Sequence, residues 1–362
     1  MGTWDPFVIG YFLDEPIHFV SSDAVFRDRF MRFILTRMGV IPKKKNVKDT
    51  RVVRIMMSHI REGMSIGLFP EASRSWTGRT MNIDPATAKL VKLLKAPVVT
   101  AKMKGMQLFN PRWGTKLRRS KVLIEYELCF QKEDLKELSE NAILDKIRKD
   151  LYHNEVDYQR KEKNKLHSSH KAEYISYVLF TCPECEEVGH IKSKGNKFSC
   201  HACNSEWNIN DLGFFEGVGH NSKFDNIIDW FDWQLPLFER FVHSAIENKS
   251  DKVIFSDNSM IVFKENKQGG FNRIGKCDMH FYIDRVEFDF KWRDKMVLPI
   301  ANIHTLSPQL RERIEINYGD KAYRVLGRPR GISGLKWEMA CNTVWKSIGQ
   351  DYKLSSYFKG GK

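Results

Sequence analysis

No stretch of the chain stays apolar for the roughly twenty residues that a bilayer-spanning helix needs, and no secretory leader is evident at its start. The residues therefore read as those of a soluble or peripheral protein. No convincing internal repeat appears, so nothing points to a stacked-repeat architecture. Acidic residues are in the minority: 45 Asp and Glu stand against 59 Lys and Arg, a formal net charge of +14. That balance favours anionic partners, namely nucleic acid, phospholipid headgroups or acidic cofactors. Disorder is excluded too, since 42% of the 362 residues are hydrophobic, enough for packed cores in two or three domains.

What is present begins with Phe69-Pro70-Glu71-Ala72-Ser73-Arg74-Ser75. A short apolar strand, Ser65 to Phe69, runs into a loop holding one carboxylate and one fixed cation. Pro70 ends the strand, Arg74 offers a planar fork for a phosphate or carboxylate, and Ser73 and Ser75 add hydroxyls. Asp84-Pro85 reads as an N-cap and first helical position for a helix to about Lys95, and Pro97 starts a second strand, Val98 to Ala101. Strand, loop, helix and strand predict a right-handed parallel crossover with the loop beyond the carboxyl end of its first strand, where such units bind ligands.

This stretch resembles the third motif of the glycerolipid acyltransferases, the lysophosphatidate and glycerol-phosphate acyltransferase family, whose usual form is F-P-E-G-T-R-S. Here Ala72 stands for the glycine and Ser73 for the threonine. Trp4-Asp5-Pro6 resembles the end of the first motif, a His, four residues and an Asp, typically within N-H-x-S-x-W-D-P. Gly39-Val40-Ile41-Pro42-Lys43-Lys44-Lys45 is similar to the second, G-x-I/F-P-x-x-R, with Lys45 in the arginine's place. Ala96-Pro97-Val98-Val99-Thr100-Ala101 resembles the fourth, V-P-I-V-P-V, without its second proline.

The resemblance implies an α/β acyltransferase domain, a mixed sheet flanked by helices, over residues 1–152. It implies transfer of a fatty acyl group from a thioester carrier, acyl-CoA or acyl carrier protein, to a lysophospholipid or related glycerol-phosphate acceptor. Asp5 and Glu71 take the catalytic positions, while Lys45, Ser73 and Arg74 take the substrate phosphate. In the family the first-motif His deprotonates the acceptor hydroxyl and the Asp holds the imidazole, because a hydroxyl is a poor nucleophile until a base takes its proton. Counting back five residues from Asp5 passes the first residue, so the base is expected upstream of this chain and the polypeptide as drawn is expected to be nearly inactive. His18, flanked by Ile17 and Phe19, reads as a structural histidine. The competing function is a non-catalytic adaptor, bound to membrane or nucleic acid, that keeps only the acyltransferase fold. A cytoplasmic protein peripheral to the inner face of a membrane is expected, with Trp4, Phe7, Phe12 and Trp113 as candidate lipid contacts.

Cys182-Pro183-Glu184-Cys185 and Cys200-His201-Ala202-Cys203 form C-x2-C-x14-C-x2-C, close to the zinc-ribbon template. Two knuckles joined by a hairpin over Ile191 to Lys197 would aim four thiolates at one point, a closed structural Zn2+ site. Two disulfides are disfavoured without a secretion signal, and Cys129, Cys277 and Cys341 look like buried thiols. Trp207, Phe214 and Phe215 beside the ribbon are expected to pack rather than to stack bases, and His190 and His201 to face solvent.

Around the ribbon, at 176–217, a charged linker is expected at 153–175 and a helical connector at 218–250, broken into two pieces by Pro236. Seven short strands follow from residue 251: Val253 to Phe255, Ser259 to Phe263, Asp278 to Ile283, Val286 to Lys291, Lys295 to Pro299, Ile314 to Asn317 and Ala322 to Val325. An amphipathic helix capped by Ser333 ends this β domain near residue 350, ahead of a tail at 351–362. The pattern looks like a pleckstrin-homology-like barrel, an architectural likeness that carries no ligand with it. Arg328 and Arg330 would be its candidate contacts to a lipid phosphate.

Overall fold

The first sheet is built from three short strands. A computed structural model describes residues 4–22, 25–26, 29–43, 49–71, 73–266, 269–309, 313–327 and 332–354. Helix α1 (Asp5–Gly10) opens it, and β1 (Ile17–Ser22) lies between β2 (Ile41–Lys43) and β3 (Ser65–Gly67), with both pairings parallel. Parallel neighbours need crossover connections, and α2 (Arg29–Arg37) and α3 (Thr50–Arg61) supply them. The Asp49 carboxylate starts α3 by accepting from the Arg51 and Val52 N–H groups. One turn apart on that helix, Val52 and Met56 close over Ile41.

After the motif loop come α4 (Ala86–Leu94), β4 (Val98–Lys104), α5 (Met106–Phe109) and β5 (Leu123–Phe130). Asp84 accepts from the Ala86 N–H at 2.9 Å, the capping role expected of it. The expected parallel crossover is not formed: β4 pairs antiparallel with β5 in a separate two-stranded sheet, so the region holds no continuous mixed sheet among the described residues. Polar and charged cross-strand pairs accompany this pairing. Thr100 faces Glu127, Lys102 faces Glu125, and Lys104 Nζ reaches the Glu125 carboxylate at 2.5 Å, cross-strand pairs that three-residue β3 could not offer.

Two helices follow, α6 (Asp134–Glu137) and α7 (Glu140–Leu151), separated because Leu138 is extended and Ser139 caps afresh on the Ala142 N–H. Ile83, Val91, Phe130, Ile143 and Ile147 form the core beneath them. The charge-dense stretch expected as a linker holds α8 (Glu155–Glu162), capped by Asn154, with Glu155 and Gln159 buried.

The cysteine segment forms a four-stranded antiparallel sheet, β6 (Ile191–Lys194), β7 (Lys197–Cys200), β8 (Glu206–Ile209) and β9 (Phe215–Gly217). Next comes α9 (Ile227–Glu247), one continuous helix that carries Pro236 inside it, where a break was expected. A proline in a helix interior costs about 3 kcal/mol. Trp230, Gln234, Phe238 and Val242 form a buried stripe through that point, and each large apolar side chain contributes about 1.5–3 kcal/mol on burial, so packing outweighs the defect. Gln234 is satisfied by the Phe180 N–H at 3.0 Å and the Val178 carbonyl at 2.6 Å.

Seven antiparallel strands complete the chain: β10 (Phe255–Glu265), β11 (Phe271–Phe281), β12 (Arg285–Phe290), β13 (Met296–Pro299), β14 (Ile303–Gln309), β15 (Arg313–Tyr318) and β16 (Lys321–Leu326), in the order β13-β12-β11-β10-β16-β15-β14. Seven strands were expected, but not these seven. The first two expected runs are one strand, β10, with a bulge between Asp257 and Met260, and β14 was missed. Helix α10 (Gly334–Ser347) is capped as expected, Ser333 Oγ accepting from the Lys336 N–H. It is not amphipathic: all residues from Gly334 to Trp345 are buried, because the helix packs against both β14 and α9.

Candidate active site and metal centre

The motif loop leaves β3 at its carboxyl end and is tied down along its length. Glu71 accepts from the Met81 N–H at 2.8 Å, closing the loop across ten residues. Ser75 Oγ accepts from the Thr77 and Gly78 N–H groups and donates to the Arg79 carbonyl at 2.7 Å, which builds the turn and leaves Ser75 occupied. Arg79 forms a two-pronged pair with Asp232 of α9, both contacts at 2.6 Å, and the Thr80 N–H donates to the His153 carbonyl. Arg112 holds the centre of the loop. Its Nη1 donates to Ser73 Oγ at 3.0 Å and to the Arg74 carbonyl, while its guanidinium lies 3.6 Å from the centre of the Trp76 ring.

Asp5 acts on the charge of both Glu71 and Arg74. Burial raises the Glu71 pKa, the Met81 hydrogen bond opposes this, and the Asp5 carboxylate adds to the rise. Burial lowers the Arg74 pKa while Asp5 pulls it back up. Asp5 itself is buried at the start of α1. Among the described residues no carboxylate lies within 4 Å of the Arg74 guanidinium. Lys45, with Arg328 and Arg330, lies outside the described residues.

A cavity of about 290 Å³ opens beside the loop, walled by Trp4, Arg74, Trp76, Arg112 and Trp113 and, from the far side, by Arg313. None of its described wall residues is acidic, and Asp5 and Glu71 are not among them. Three guanidinium groups, those of Arg74, Arg112 and Arg313, stand around this hollow. His18 takes no part: its Nδ1 lies 3.1 Å from the Gly39 carbonyl, and a Cβ on Gly39 would fall 2.2 Å from that nitrogen. Trp113 is buried at 5% exposure and is therefore corrected from a lipid contact to a cavity wall.

The four motif cysteines converge, with all four sulfurs within 4.8 Å of one another. Cys182 and Cys203 are 3.7 Å apart, as are Cys185 and Cys200. Zn–S bonds of about 2.3 Å in a tetrahedron would set sulfurs about 3.8 Å apart, so the group has the dimensions of a closed four-thiolate site. The two knuckles repeat each other. Glu186 N–H donates to the Cys182 carbonyl and Asn204 N–H to the Cys200 carbonyl, and both residues are left-handed, with φ of 60° and 62°. Trp207 and Phe215 are buried in the ribbon, out of reach of a base, while His190 and His201 are exposed.

Residues 1–104 match the family model described as Acyltransferase. That match supports a transferase of acyl groups and spans the loop, Asp5 and the parallel strands. No curated protein matches the chain. Among solved structures, the N-terminal PH domain of human ARAP2 is similar at 13% identity over 26% of this chain and 80% of that one, with a TM-score of 0.21. Among the described residues no helix is long and apolar enough to cross a membrane. Just beyond the matched segment, Arg112 is the residue that sequence reasoning passed over; its one signal was an arginine set between Pro111 and Trp113.

Proposed function

We propose that the chain is an O-acyltransferase that moves a fatty acyl group from acyl-CoA or acyl carrier protein to a lysophospholipid or related glycerol-phosphate acceptor. The observation that carries the reading is that Arg74 lines a cavity while Asp5 acts on the charge of both Arg74 and Glu71, all three residues inside the segment that matches the acyltransferase model. Arg74 grips the acceptor phosphate, with Ser73 beside it and Lys45 as a second cation, and binding energy spent there positions the free hydroxyl. Asp5 orients the base, which the first-motif resemblance implies is a histidine five residues before it. Glu71 joins that charged cluster and, through Met81, fixes the loop.

The four-cysteine cluster takes one structural Zn2+, which fits its sulfur spacing, and the C-terminal sheet is a pleckstrin-like module. A membrane surface supplies the acceptor. Exposed Phe7, Tyr11 and Phe12 around α1, with Phe30 and Phe33 among the arginines of α2, suit an anionic lipid interface.

The test is thioester turnover with lysophosphatidate in a polypeptide extended upstream through the first-motif histidine. Arg74→Ala is expected to lower kcat/KM by about a hundredfold, the scale of a charge-assisted fork lost from a bound phosphate. Turnover unchanged by the substitution overturns the reading. No turnover in the intact extended chain favours an adaptor that keeps only the fold.

A further inference from the structure

We infer that Asp232 of α9 is a positioning residue for the acyltransferase reaction: through Arg79 it sets the part of the motif loop, residues 75–81, from which Glu71 is held. This rests on the reading above and extends it to a helix outside the family match.

The hold is two-pronged. Arg79 Nη1 donates to Asp232 Oδ2 and Nη2 to Asp232 Oδ1, both at 2.6 Å, between residues 153 positions apart in sequence. Paired N–H to carboxylate bonds of this kind fix direction as well as distance, which a single surface contact does not. The Arg79 pKa is raised chiefly by the Asp232 hydrogen bond, and Asp229, on the same helix, adds its charge.

What Arg79 carries is the loop. Its carbonyl accepts from Ser75 Oγ, which itself accepts from the Gly78 N–H at 3.0 Å. Just beyond it, the Met81 N–H holds the Glu71 carboxylate at 2.8 Å. The turn between them has no slack: Gly78 has a φ of 86°, and a Cβ there would lie 2.8 Å from the Cβ atoms of both Gln107 and Glu155. With α5 and α8 packed so closely, a shift of Arg79 carries Ser75 and Met81 with it. Helix α9 is also shaped at this place. Pro236, one turn beyond Asp232, has no N–H to give the Asp232 carbonyl, and its ring presses on that carbonyl. The proline inside the helix therefore acts at the residue that grips Arg79.

The experiment reads the loop and the reaction separately. Hydrogen exchange at the Gly78 and Met81 amides of the full chain needs no turnover, and kcat is measured with acyl thioester and lysophosphatidate in the upstream-extended chain. Asp232→Asn keeps the side chain's shape without its charge; it is expected to quicken exchange at both amides and to lower kcat by about tenfold, as a misplaced loop does, with Arg79→Lys in between. Unchanged exchange overturns the inference. So does a wild-type kcat in a protein that only melts earlier, since the pair would then be structural while the proposed function stands. If the wild-type extended chain turns nothing over, the proposed function fails and this inference with it. Should Asp232→Asn lose its zinc or fail to fold, Arg79→Lys decides: it keeps the charge without the fork, and exchange and kcat at wild-type levels overturn the inference.

Discussion

Helix α2 near the start of the chain and helix α10 near its end bury their side chains in opposite ways. None of the described residues of α2 is buried, and Phe30 and Phe33 stand 70% and 54% exposed. Every residue of α10 from Gly334 to Trp345 is buried. The contrast extends to whole regions. The N-terminal region rests on two small clusters, around Ile41 and around Ile143, whereas one continuous core runs from Ile175 through Trp207, Trp230 and Phe238 to Phe288 and Trp345. That core draws in Trp76 and Trp113 from the N-terminal side. The ribbon, α9 and the final sheet therefore share one packed core, and the motif loop is held against it. Most of the packing lies away from the motif loop.

The metal gives the largest test of that division. If the ribbon shares its core with α9 and the sheet, removing Zn2+ with a chelator, or substituting Cys200→Ser, should unfold the C-terminal half together, read by tryptophan fluorescence and metal content in one transition. Loss of metal with the β10 to β16 sheet still folded would show that the core is divided. Next in size is a matched pair of phenylalanine deletions. Phe238→Ala should cost about 3–5 kcal/mol in urea unfolding, the usual range for a fully buried aromatic, whereas Phe33→Ala should stay within about 0.5 kcal/mol, as exposed positions do. Equal losses would abolish the contrast.

A smaller, pH-dependent effect is expected at Glu71. Its pKa is raised in the folded chain, chiefly by burial, so the native state holds its proton above the ordinary carboxylate range. Its contribution to stability is therefore complete at acid pH and is lost as pH rises through the raised value. Glu71→Gln keeps an oxygen for the Met81 N–H and does not ionise, so its stability should decline less over that window. Parallel urea midpoints for the two proteins across it would contradict the assignment.

The local parts of this structure were legible because short-range chemistry dictates them. Asp84 and Ser333 cap where they should, and the cysteine spacing carries its own hairpin and knuckles. What failed depended on partners distant in sequence. The β4 strand reads as a parallel neighbour of β3 until β5 is seen to pair with it, with Glu125 facing Lys102 and Glu127 facing Thr100. The β14 strand was hidden by Pro308, which a strand tolerates only because it lies at the sheet edge, where a missing N–H costs little. Pro236 reads as a break until the stripe from Trp230 to Val242 is seen to be buried on both sides of it. In the site, Glu71 and Arg74 were legible from one loop, but Arg112 acts through Trp76 and Pro308, contacts that no local pattern announces.

The central claim is that Asp5 and Arg74 serve one site, and a double-mutant cycle on thioester turnover tests it most directly. In the upstream-extended chain, Asp5→Asn and Arg74→Gln should each lower kcat/KM steeply, and the double substitution should cost far less than the product of the two losses. Losses that multiply independently would place the two side chains in separate roles and contradict the account.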